Sequence, residues 1–121
     1  MIWKPAAMKR ARELAAELNR PNWDSYGAKP IDSASLERFD ALLGTLPDES
    51  REWLTVWPMC DGNFSIEADL ERLMVDHEGA FAEVDGKQYE GPLAEMPREM
   101  LAHFFELNGP ENPEASGESN G

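Results

Sequence analysis

The chain is 121 residues long with 41% apolar and 9% aromatic residues, which suits one globular domain with a single core and leaves little for a second. Its formal charge is −13, and because residues 1–30 hold six basic groups against three acids, the remainder carries −16 and should repel a phosphate backbone. The single cysteine, Cys60, excludes an internal disulfide framework; no stretch reaches the ~20 apolar residues of a membrane span or resembles the apolar run of a signal peptide, so a reducing cytoplasm is expected.

Pro5 to about Arg20 reads as a first helix, with Met8, Ala11, Leu14, Ala15 and Leu18 on one stripe and Lys9, Arg10, Arg12, Glu13 and Glu17 opposite. Pro21 closes it, and a distinctive loop follows through Ile31. That loop is expected to be a buried clasp between two helices, with Trp23 and Tyr26 inserted into the core and Asp24 accepting bonds from backbone amides. Gly27 supplies a conformation closed to other residues, and Pro30 fixes the approach to the next element. Asp32 or Ser33 caps a second helix with the stripe Leu36, Phe39, Leu42 and Leu43. Gly44 and Pro47 end it, and Asp48-Glu49-Ser50 is a polar connection.

The period then changes. Trp53–Trp57 is rich in branched and aromatic residues, Cys60-Asp61-Gly62-Asn63 is a turn signal, and Phe64–Asp69 alternates strictly, which predicts a β-hairpin. Leu73–Asp76 continues as a third strand, Glu78-Gly79 turns it, and Phe81–Val84 returns as a fourth; Lys87–Tyr89 fits either a short fifth strand or the exit of the fourth. Pro97 opens a last helix through about Leu107. The expected fold is therefore α+β: two N-terminal helices and one C-terminal helix packed on one face of a four-stranded antiparallel meander. It occupies residues 1–109 as one domain, with a disordered acidic tail over 110–121.

Alternate strand residues point to opposite faces. Leu54, Val56, Phe64, Ile66, Ala68, Leu73, Val75, Ala82 and Val84 form a core face. The other face carries Trp53, Trp57, Met74 and Phe81 among Glu67, Asp69, Asp76, Glu83 and Asp85, with Thr55 and Ser65 between. Two readings of this second face compete. It is either the wet side of a one-sided sheet, its aromatics shielding neighbouring strands, or a partner-binding platform of apolar anchors rimmed by charge.

Motifs for catalysis are missing. Ser25 and Cys60 have no recognisable base in context, His103 reads as an ordinary helix residue, and no Gly-rich phosphate loop occurs. The strongest metal candidate is Asp76-His77-Glu78, with help from Asp61, but on a strand Asp76 and Glu78 point away from His77, so no metal and no other cofactor is expected.

Asn22-Trp23-Asp24-Ser25-Tyr26-Gly27-Ala28-Lys29-Pro30-Ile31, together with Asp61-Gly62-Asn63-Phe64-Ser65-Ile66-Glu67, resembles a group of small acidic proteins of bacteria and their mobile elements. There a Trp-Asp, Gly-Ala, Pro-Ile loop follows a first helix and an Asp-Gly hairpin ending in Glu follows a second. The resemblance spans roughly residues 5 to 90 and implies a phage, prophage or integrative-element setting. In size and charge the chain is also similar to anti-CRISPR proteins and other DNA mimics. Charge, face listing and resemblance together lead to the expectation of a non-enzymatic inhibitor, anti-CRISPR- or antitoxin-like. Its acidic sheet face would block the cationic nucleic-acid-binding site of a target protein, without binding nucleic acid or membrane itself. The alternatives are a housekeeping scaffold domain that dimerises through Trp53 and Trp57 and, less favoured, a small hydrolase with paired carboxylates.

Overall fold

In the computed structural model, residues 2–68 and 71–107 are described. The order is α1 (Lys4–Leu18), α2 (Ser33–Gly44), β1 (Glu49–Ser50), β2 (Leu54–Pro58), β3 (Phe64–Ala68), β4 (Arg72–Asp76), β5 (Gly79–Val84), β6 (Lys87–Gly91), α3 (Arg98–Phe104) and β7 (Phe105–Glu106). The fold is α+β with three helices, and β2 to β6 form one antiparallel meander in sequence order.

α1 begins with Pro5 in its first turn, where a missing N–H costs nothing. Ala7, Ala11 and Leu14 are its buried positions, spaced four and three apart. Two small residues in that stripe let α1 lie close against α2 and β2. Its start is bound to the exit of α2: Trp3 Nε1 donates to the Pro47 carbonyl at 3.1 Å, and Lys4 Nζ donates to the Leu46 carbonyl at 2.5 Å and to Asp48 Oδ1 at 3.0 Å. α2 is opened by a reciprocal cap, in which Asp32 Oδ1 accepts from Ser35 N and Ser35 Oγ accepts from Asp32 N, each at 3.0 Å. Ser35 Oγ also donates to Asp32 Oδ1 at 3.1 Å, and the two bonds that this oxygen accepts hold the Asp32 carboxyl below the ordinary carboxylate value, the backbone amide of Ser35 contributing most and its hydroxyl next.

Two elements depart from expectation. The meander has five strands, not four, because Lys87–Gly91 pairs fully with β5, Val84 opposite Lys87 and Ala80 opposite Gly91. Tyr89 stands opposite Ala82 and donates its hydroxyl to the Pro92 carbonyl at 2.5 Å, which fixes the exit of the strand. The last helix stops at Phe104, not near Leu107, and β7 pairs with β1 in a separate two-stranded ribbon. Phe104 and Phe105 are both fully buried. Phe105 leaves the helix in an extended conformation, φ −128° and ψ 149°, and its ring lies 5.9 Å from that of Trp3.

The loop after α1 also differs from a buried insertion. Tyr26 is 91% exposed and Trp23 is only half-buried, its Nε1 donating to the Lys29 carbonyl at 2.7 Å. The small or branched residues Ala28 and Ile31 are the ones driven into the core. Asp24 holds the turn as expected, Oδ1 accepting from Tyr26 N at 2.8 Å and Ala28 N at 3.0 Å, and Gly27 takes φ +87°. Lys29 N donates to the Cys60 carbonyl at 2.8 Å, so the loop joins α1 and α2 to the β2–β3 turn. Val56, Ile66, Leu73, Val75, Ala80, Ala82 and Val84 from the sheet share one core cluster with the helices' apolar residues. The tail over 110–121, expected to be disordered, and Asp69 lie outside the described residues.

Two outcomes follow for stability. Ile31→Ala should lower unfolding free energy in urea by about 2–5 kcal/mol, whereas Tyr26→Ala should change it by no more than ~0.5 kcal/mol. A Tyr26 effect as large as that of Ile31 would contradict the exposed placement. For Asp32, a carboxyl held low in the folded state stabilises the fold above its ordinary value of 3.8 and loses that contribution as pH falls through the folded value. The stability difference between wild type and Asp32→Asn should therefore be constant near neutrality and shrink only in acid.

Candidate functional site: the open face of the sheet

The register places five residues in one row across the whole meander: Thr55 opposite Glu67, Glu67 opposite Met74, Met74 opposite Phe81, and Phe81 opposite Glu90. Two apolar side chains thus lie side by side on the central strands with a carboxylate at either end. The adjoining row runs Arg72, Glu83, Gln88. Trp57 stands opposite Ser65 on the remaining side of β3. This is the face turned away from Val56, Ile66, Val75 and Ala82, as the alternation requires.

Its apolar groups are accessible: Trp57 is 53% and Met74 39% exposed, with Phe81 half-buried. Arg72 lies over the Phe81 ring, 5.2 Å from its centroid, and its Nη1 is 3.7 Å from Glu83 Oε1. Glu67 Oε2 accepts from Ser65 Oγ at 3.4 Å, while Trp57 Nε1 donates to Thr55 Oγ1 at 3.1 Å. A shallow concavity of about 380 Å³ opens beside this row, with Met74, Phe81, Glu90 and Gly91 in its wall.

Of the residues expected on this face, the structure brings together Glu67, Met74, Phe81, Glu83 and Trp57. Trp53 precedes β2 and is 65% exposed at the sheet's edge. Asp76 is drawn into its own turn, Oδ1 accepting from Glu78 N at 2.8 Å and Gly79 N at 3.1 Å. Asp85 belongs to the β5–β6 turn at φ +52°, beyond the end of the face. Sequence reasoning missed Arg72 and Glu90. Arg72 shares parity with Met74 and becomes visible once β4 starts one residue earlier; Glu90 required the fifth strand.

The remaining candidates lie elsewhere. Cys60 and Ser25 are exposed turn residues. His103 Nε2 sits 3.3 Å from Glu52 Oε2, tying α3 to the connection before β2. His77 and Glu78 form the β4–β5 turn itself, so the strand-parity argument that kept them apart does not apply. Their ligand atoms meet Asp61, with all three within 4.8 Å of one another. A second concavity, a groove of about 600 Å³, runs along β2 beneath the first half of α1; Arg10 is the one charged residue in its wall, beside Ile2, Ala6, Trp53 and Trp57. Among the described residues no helix is long and apolar enough to cross a membrane.

No protein-family model, curated protein or solved structure matches this chain.

Proposed function

We propose that the chain is a non-enzymatic inhibitor of phage or mobile-element type, anti-CRISPR- or antitoxin-like, that uses the open sheet face to block the cationic nucleic-acid-binding site of a target protein. The observation that carries this reading is the Glu67–Met74–Phe81–Glu90 row, an apolar pair flanked by carboxylates on rigid, paired backbone. Apolar anchors at the centre with charge at the rim are the arrangement by which protein surfaces gain both affinity and orientation. The −16 carried by residues beyond 30 favours a basic partner and speeds encounter with it. Exposed carboxylates act through water, so the complex should weaken as salt rises.

The test uses the full chain as bait for bacterial lysate proteins, beside a Glu67→Gln/Glu83→Gln/Glu90→Gln variant of equal thermal stability. Targets should be retained by the wild type alone, elute along a salt gradient, and be displaced by added duplex DNA or RNA. Retention indifferent to salt, to the three substitutions or to nucleic-acid competitor would remove this function.

The acid-free groove along β2 favours a second reading, a scaffold domain that dimerises through Trp53 and Trp57. An edge strand of Leu-Thr-Val-Trp-Pro carries none of the charges that protect such edges, unlike β6 with Lys87 and Glu90. Light scattering across a concentration series separates the two: a dimer lost in Trp53→Lys supports the scaffold, and a monomer throughout supports the inhibitor.

A further inference from the structure

We propose that Asp61, His77 and Glu78 form a binding site for a divalent transition-metal cation of the Zn²⁺ type. Asp61 comes from the β2–β3 turn, and His77 and Glu78 from the β4–β5 turn, at the same end of the sheet. The shared atom is His77 Nε2, 3.8 Å from Asp61 Oδ2 and 3.8 Å from Glu78 Oε2.

What makes this more than a meeting of surface charges is the side chain behind it. Asn63 is 7% exposed, and its Oδ1 accepts from Arg38 Nε at 2.5 Å, while Arg38 Nη2 donates to the Gly62 carbonyl at 3.2 Å. A guanidinium only donates, so the Asn63 amide has its oxygen turned to Arg38 and its NH₂ turned the other way. That NH₂ is 3.3 Å from His77 Nε2. A donor meets a ring nitrogen favourably only where that nitrogen carries its lone pair, which puts the ring proton on Nδ1. In the free chain that lone pair accepts from the Asn63 NH₂, and Nε2 lies 3.8 Å from an oxygen of each carboxylate. A cation at their centre would replace the amide hydrogen bond on that lone pair and neutralise the two carboxylates.

The ligand set fits the cation class. One imidazole and two carboxylates suit Zn²⁺, and three protein ligands leave a fourth position for water. A ring nitrogen disfavours Ca²⁺, which takes oxygen. Metal–ligand bonds of about 2.1 Å place tetrahedral neighbours ~3.4 Å apart, so the two separations from His77 Nε2 would close by a few tenths of an ångström, and the two carboxylate oxygens, within 4.8 Å of one another, would close by no more than about 1.4 Å. Glu78, its side chain 77% exposed, is free to make that movement. Asn63, its oxygen held by Arg38, turns the Nε2 edge of the ring toward the carboxylates in the free chain and yields that lone pair to the cation, which would tie the β2–β3 turn to the β4–β5 turn.

The test is isothermal titration of the chelator-treated full chain with ZnCl₂ at neutral pH, with thermal melting and the histidine side-chain nitrogen resonances followed in parallel. The expected result is one saturable site, a raised melting temperature with Zn²⁺, and a shift of the His77 Nε2 resonance. Asp61→Asn and His77→Ala should each weaken binding at least tenfold, with circular dichroism confirming that they fold. Glu78→Gln, at an exposed turn position, tests the site without threatening the fold and should also weaken it. His103→Ala should bind as the wild type does. The absence of saturable binding, binding unchanged in His77→Ala, or binding lost only in His103→Ala would overturn the proposal.

Discussion

The constraint on which the rest depends is the register of the meander. One face of the sheet buries Val56, Ile66, Val75 and Ala80 in a continuous cross-strand row. Because side chains alternate strictly, slipping β3 or β4 by one residue could replace Ile66 with Glu67 or Val75 with Asp76. Burying a carboxylate without a partner costs far more than a one-residue shift could recover. The core row therefore dictates which residues stand together on the opposite face, and the Glu67–Met74–Phe81–Glu90 row is as firmly specified as the core itself.

The helical half closes that core by chain-distant contacts. Trp3 is the clearest case: its ring packs against Phe105, its Nε1 reaches the Pro47 carbonyl, and Ile2 bridges to Glu49. The beginning, middle and end of the chain meet there. The loop from Pro21 to Ile31 does the corresponding work at the other end of α1. Ile31 N donates to the Leu18 carbonyl at 3.1 Å and Lys29 N to Cys60, so one segment holds a helix on one side and a sheet turn on the other.

What was legible in the sequence was local. The hairpin from Leu54 to Ala68 announces itself through alternation, and the Asp32 cap through residue type three positions before Ser35. Sequence left the fifth strand open against a mere exit of the fourth because Lys-Gln-Tyr-Glu-Gly has little β-branched or aromatic content; its pairing with β5 makes it a strand. The β1–β7 ribbon was hidden for a different reason, since Glu49 and Glu106 are opposite one another only after everything between them has folded. Tyr26 misled because aromatic mass suggests burial, while the turn built by Asn22 and Asp24 points it outward and leaves Ala28 and Ile31 to anchor the loop. On the site, parity was sufficient for Glu67, Met74, Phe81 and Glu83. It failed at His77 and Glu78 because a rule for strands was applied to a turn.

The charge of the open face has consequences for the free protein as well as for a complex. Glu83 and Glu90 lie on the neighbouring strands β5 and β6, with Glu67 two strands away on β3, and like charges gathered on one face repel in the folded state. Arg72 relieves part of this, paired with Glu83 and stacked on Phe81, but that pair is largely exposed and contributes little. The face thus carries a local cost that nothing in the fold requires, and such inconsistencies concentrate where a surface serves a partner. Screening by salt acts in opposite directions on the two states: it relaxes repulsion within the free sheet and weakens attraction across an interface with a basic protein. A surface under selection for solubility alone would gain nothing from placing Met74 and Phe81 between those carboxylates. The combination of apolar centre and acidic margin is the feature on which the proposed recognition of a basic partner rests.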